Sequence, residues 1–162
     1  MKIRDWFENW GITGLKINAG FLKLEWVPQP DEAQAAWELY IELITRIAVR
    51  PLPDQAGDEA AALASIHALF AVVRELLKSK GRKALVFSQI AVIMFNQKIR
   101  PFTEAWHPVL LADNISDPED KKRFRAELKQ LQKTLQQYAA MLARIANIED
   151  FQALDQGPLK NI

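Results

Sequence analysis

Residues 116–147 read SDPEDKKRFRAELKQLQKTLQQYAAMLARIAN, and the spacing inside this stretch sets the fold class. Phe124, Leu128, Leu131, Leu135, Tyr138, Leu142 and Ile145 recur at alternating four- and three-residue steps. That is the repeat of a helix burying one narrow seam. Ser116 and Glu119 have the spacing of a capping box; alternatively Asp117 is the cap, with Pro118 at the first helical position. A helix over 117–148 follows. At about 1.5 Å per residue, Pro118 to Asn147 runs roughly 45 Å, against a radius of gyration of about 15 Å for a compact chain of this size. Such a helix needs long neighbours, or a second chain over its free end.

The neighbours lie upstream. A helix is expected over 82–111, apolar almost all round from Ala84 to Phe95 and so placed centrally; this run is too short for a bilayer, which needs roughly 20 residues. The helix over 58–79 carries Leu63, Ile66, Phe70, Val73 and Leu77 as its seam. Leu69, Val72 and Leu76 widen that seam, so two partners must cover it. The helix over 31–49 carries Trp37, Tyr40, Ile41, Ile44 and Ala48, and Arg50-Pro51-Leu52-Pro53 ends it. Ile3, Trp6, Phe7 and Trp10 mark a short helix over 1–11, stopped by Gly11. Over 14–27 the period changes to two: Leu15 and Ile17, then Leu22, Leu24 and Trp26, alternate with polar residues. Asn18-Ala19-Gly20 can supply a turn with Gly20 at positive φ, so a β-hairpin is expected. Residues 151–162 read as a loose tail. The expected fold is mainly α: one domain over 1–150, an antiparallel four-helix bundle with the short helix and hairpin across one end.

Composition narrows the function. The chain has 162 residues, 49% hydrophobic and 25% charged, which argues against disorder. Its net charge of +1 sets up no global field for nucleic acid or an anionic membrane. The total conceals an asymmetry: residues 1–81 hold 9 basic and 11 acidic side chains, residues 82–162 hold 12 and 9. Cysteine is absent and only two histidines occur, so no metal site and no cofactor is expected. Met1–Gly11 lacks the apolar run of a signal peptide, and a cytoplasmic protein without a membrane span is the expectation.

One segment invites chemistry. Asn96, Arg100, Thr103 and His107 fall on one polar line of a continuous helix, with Phe95, Ile99, Phe102 and Trp106 as an apolar line beside it. Pro101 removes a backbone donor and clashes with the carbonyl of Gln97, so a kink with a polar pocket is expected there. An arginine can hold a phosphate on two nitrogens while a histidine moves a proton. Arg100, six residues and His107 are similar in spacing to the loose pattern of HEPN-type helical ribonucleases. The residue after arginine in that family is usually polar; here it is Pro101. The plainer reading is structural, with Arg100 paired to Glu104 and His107 satisfying helix-end carbonyls.

Three other features compete. Lys121, Arg125, Lys129 and Lys133 form a basic stripe, a candidate anion-binding face for nucleic acid, though with no aromatic residues interleaved a solvated helix face is the plainer reading. Trp6, Phe7 and Trp10 form a candidate partner-binding patch; the acids Asp5 and Glu8 on the same helix argue against a membrane anchor. His67, among Ile66, Ala68 and Leu69, reads as a half-buried core residue rather than a ligand.

The segment Leu15–Trp26, the run Ala36-Trp37-Glu38-Leu39-Tyr40 and the motif Arg100-Pro101-Phe102-Thr103-x-x-Trp106-His107 together resemble a bacterial family of small proteins with no assigned activity. The resemblance covers about residues 12–150. It implies a bacterial, intracellular protein, encoded among the genes of a defence or stress system, and brings no catalytic residues with it. The expected function is a non-enzymatic interaction or assembly subunit that docks on a protein partner or on itself. The alternatives are a metal-independent ribonuclease using Arg100 and His107, and nucleic-acid binding through the last helix.

Overall fold

Asp117 settles the start of the longest helix. In the computed structural model, which describes residues 1–46, 48–53 and 58–154, its carboxylate accepts the amides of Glu119 (2.9 Å) and Asp120 (3.2 Å). The chain is mainly α. Its helices are α1 (Ile3–Asn9), α2 (Ala19–Leu22), α3 (Pro30–Ile44), α4 (Glu59–Lys80), α5 (Leu85–Met94), α6 (Arg100–Asp113) and α7 (Pro118–Ile145). All seven seam residues of α7 are buried, and so are Gln132, Ala139, Met141 and Ala143. The buried face is therefore wider than a coiled-coil seam, and it packs inside the chain against α3, α4 and α6.

On α3 the face differs from the one expected. Glu32, Ala35, Ala36, Leu39, Tyr40 and Leu43 are buried, whereas Trp37, Ile41 and Ile44 are only half-buried. Two alanines carry little weight in an apolar stripe, yet Ala35 and Ala36 are fully buried. The helix also stops at Ile44, short of 49. There the Thr45 hydroxyl donates back to the Ile41 carbonyl (2.6 Å), a side-chain bond that competes with further helix.

The helix expected over 82–111 runs unbroken from Gly81 to Asp113 but not as one regular α-helix, and the regular four-helix bundle is not seen. Gly81, at φ 58°, ends α4, and a 3₁₀ turn at Gly81–Ala84 leads into α5. A π-helical turn, Phe95–Ile99, then joins α5 to α6. Pro101 has no N–H to give to the carbonyl four residues back. Instead of a simple kink the backbone widens by one residue, and the Arg100 amide reaches the Phe95 carbonyl. The two halves then serve different neighbours: α5 lies against α3, α6 against α4 and α7. Nor is α5 buried all round, since Leu85 is 56% and Val92 46% exposed.

No strand occurs among the described residues, so the hairpin expected over 14–27 is replaced. Asn18 accepts the Gly20 amide (2.8 Å) and caps the single turn α2; Gly20 is not among the glycines at positive φ. The backbone groups that a hairpin would have paired with each other are taken elsewhere. Residues 24–26 pair with residues 1–3 through Ile3 N to Leu24 O (3.1 Å) and Trp26 N to Met1 O (3.0 Å). The Gln97 side chain, from the π turn, accepts the Lys16 amide (2.7 Å) and donates to the Lys16 carbonyl (2.6 Å).

Part of the expected tail is ordered too. Phe151–Ala153 form a 3₁₀ turn whose Phe151 ring packs edge-on against Trp37 and Tyr40. The Tyr40 hydroxyl donates to Asp150 (2.9 Å) and accepts the Phe151 amide. Burial, then the bond to Asp150, pushes the Tyr40 hydroxyl up to about 12. Residues 155–162 of the expected tail lie outside the described residues.

Candidate functional site

The inward face of α6 carries Phe102, Thr103 and Trp106, all buried, and Phe95 and Ile99 of the π turn continue the same apolar line. Anchoring that line turns Arg100, Glu104 and His107 outward, where α4 runs antiparallel beside α6. His67, Phe70, Ala71 and Arg74 of α4 meet Arg100, Thr103, Glu104, His107 and Pro108 of α6 across an open groove of about 440 Å³.

The chain's two histidines meet in this groove. Their rings stack with centroids 5.8 Å apart and planes 18° from parallel. His67 is exposed, not half-buried, and so is His107. Two helical turns along from the stack on each helix, about 10 Å by helical rise, stand Arg74 on α4 and Arg100 on α6, both lining the groove. The Arg100 guanidinium lies 4.9 Å over the Phe70 ring, and its Nε donates to Asn96 Oδ1 (3.1 Å). Thr103 Oγ1 donates to the Arg100 carbonyl (3.0 Å). Arg100 is thus held by Phe70 and Asn96 rather than by the expected partner Glu104. His107 sits well inside α6, which continues through Pro108 to Asp113, and not at a helix end. Of the expected polar line, Arg100, Thr103 and His107 line the groove, while Asn96 orients Arg100 from the π turn.

From the sequence His67 reads as a half-buried core residue and Phe70 as part of the buried seam, and Arg74 is given no place in a site. One signal was available: two histidines in a chain, each among apolar residues of a helix, become informative when the helices are antiparallel neighbours. Among the described residues no group of three or more His, Asp or Glu side chains converges as a metal site requires.

The other candidate residues are placed differently. Trp6 and Phe7 are buried, Trp6 against Trp26 at 5.2 Å, and Trp10 is half-buried against the core, so these rings are spent inside the chain. On α7, Lys121, Lys129 and Lys133 are exposed. Arg125 turns away from that stripe, donating to Glu59 (2.9 Å) and to the Pro53 carbonyl (3.0 Å). The stripe is left with three lysines and no aromatic ring.

Comparison with family models, curated proteins and solved structures gives no match for this chain.

Proposed function

We propose that the groove between α4 and α6 binds and cleaves an RNA phosphodiester without a metal ion. Arg100 holds a phosphate of the bound strand and His107 transfers a proton at the bond that is cut. The observation that carries this reading is the position of Arg100 and His107 on one wall of one solvent-open groove, with Arg74 and His67 on the other. Two guanidiniums and two imidazoles around an open cleft match the charge and hydrogen-bonding of a phosphate. Histidine supplies the one side chain whose ordinary titration lies in the physiological range. Despite Pro101, where the HEPN-type pattern usually has a polar residue, Arg100 and His107 both stand inside α6, seven residues or two turns apart, and so face the same groove.

The test is cleavage of a labelled RNA oligomer in excess chelator. The wild-type protein is expected to cut it, and His107→Ala to lower the rate by about 10²–10⁴-fold, the usual worth of a positioned proton-transfer group. Wild-type protein that leaves the oligomer intact, or a variant that cuts at the wild-type rate, defeats the proposal.

A second reading is supported by α4. Ala61, Ala64, Ala68 and Ala71 lie exposed on α4. Under this reading the chain is an assembly subunit that self-associates through α4. Light scattering is then expected to return the mass of a dimer, reduced to that of a monomer by Ala68→Glu; a monomer at all concentrations rules it out.

A further inference from the structure

The groove has two chemically different ends, a pair of histidines at one and a pair of arginines at the other. We propose that His67 is the second proton-transfer group of the reaction, and that Arg74 with Arg100 holds the phosphate next to the one being cut. This rests on the phosphodiester reading of the groove and deepens it: the substrate is a single-stranded RNA spanning at least two phosphates.

Rings whose centroids are 5.8 Å apart, on facing helices, can each offer a nitrogen to a different oxygen of one bound phosphodiester at ordinary hydrogen-bond distance. Cleavage requires one group to accept a proton and another to donate one. In the balanced step the neutral imidazole takes the proton of the ribose 2′-hydroxyl, and the O2′–P bond forms. The P–O5′ bond breaks, and the protonated imidazole gives its proton to O5′. The products are a 2′,3′-cyclic phosphate and a free 5′-hydroxyl, with the two rings left in exchanged protonation states. A single histidine would have to perform both transfers; two on opposite walls divide them.

The arginine end supplies what the histidine end lacks. Arg74 and Arg100 lie about 10 Å along the groove from the histidines, two turns of each helix. Arg100 is already oriented by Asn96 and by the Phe70 face, so its outer nitrogens are free to take a phosphate with little further ordering. The other charged group lining the groove is Glu104 on α6, which lies between the two ends and disfavours a third phosphate there.

The test uses the full-length protein, a labelled RNA decamer, a diribonucleotide and a decamer with 2′-deoxyribose throughout, all in chelator. For the wild type on the RNA decamer, a bell-shaped profile of kcat/KM against pH is expected. His67→Ala is expected to lower kcat by about 10²–10⁴-fold and to remove one limb of the bell, with His107→Ala removing the other. Arg74→Ala is expected to raise KM for the decamer about tenfold while leaving the diribonucleotide unchanged. The deoxy decamer is expected to shift the imidazole NMR signals of both histidines without being cut. Wild-type cleavage that persists in His67→Ala with both limbs intact overturns the role of His67 and leaves the phosphodiester reading standing. An Arg74→Ala effect that is equal on both substrates overturns the two-phosphate assignment. If the wild type cuts nothing, both proposals fall, even where the deoxy oligomer binds. His67→Gln, which keeps polarity and size, separates a lost proton transfer from a disturbed surface.

Discussion

Replacing Glu32 with alanine is expected to lower the unfolding free energy by about 3–5 kcal/mol, a large part of the roughly 5–15 kcal/mol that holds a domain of this kind together. Glu32 is 4% exposed, and its two oxygens accept four hydrogen bonds. Oε2 takes Trp26 Nε1 (2.8 Å) and the Gln29 amide (3.0 Å). Oε1 takes the amides of Val86 (3.1 Å) and Phe87 (3.2 Å) at the start of α5. One carboxylate therefore closes the first turn of α3, caps α5 through its free N–H groups, and ties down the Trp26 ring that packs on Trp6. Alanine leaves Trp26 Nε1 and the Phe87 amide buried and unpaired, at about 1–3 kcal/mol each, and removes an anion from the positive end of α5. Water can reach the more exposed Gln29 and Val86 amides, so their loss adds less. Glu32→Gln keeps the shape and one acceptor oxygen and is expected to fall between the two. Urea unfolding with an unchanged slope measures the difference; a Glu32→Ala midpoint within error of the wild type would show that the carboxylate is dispensable.

Glu32 also shows where the sequence was legible and where it was not. The apolar periodicity of α7 and the line Phe95, Ile99, Phe102 and Trp106 were readable because large side chains at regular steps mark a buried face directly. A buried glutamate carries no such mark. Its role depends on Val86 and Phe87, 54 and 55 residues along the chain, and nothing local announces them. The hairpin misreading has the same origin. Alternation over 14–27 records which side chains face the core, but not whether the backbone pairs with itself. Here the Lys16 backbone is satisfied by Gln97, 81 residues away, and the Trp26 amide by the Met1 carbonyl. The site followed suit: Arg100 and His107 were legible as one line on one helix, whereas His67 and Arg74 entered only once the antiparallel register of α4 and α6 was known.

Trp106→Ala is expected to cost about 3–5 kcal/mol, the usual range for deleting a buried large aromatic, and to lower the melting temperature by roughly 10 °C. Trp106 is 1% exposed, and its ring sits edge-on to Phe124 with centroids 5.1 Å apart. The Arg123 guanidinium lies 4.8 Å over the same ring, and the indole N–H donates to Glu127 (2.6 Å). These contacts pin α6 to α7, the side of α6 opposite the groove. Truncation leaves a cavity between the two helices and takes from Arg123 the ring it lies over and from Glu127 the indole N–H it accepts. Trp106→Phe separates the terms: it keeps most of the ring packing but loses the bond to Glu127, and is expected to cost about 1–2 kcal/mol. The two variants also divide stability from function. Arg100 and His107 are held on the outer face by the anchoring of Trp106 on the inner one. Trp106→Phe, folded and with α6 in place, is expected to leave KM for an RNA oligomer unchanged. Trp106→Ala loosens α6 as a whole and is expected to raise KM and lower kcat together. Calorimetry gives the first comparison and steady-state kinetics the second. A Trp106→Ala protein that melts with the wild type would show that α6 is held by something other than this ring.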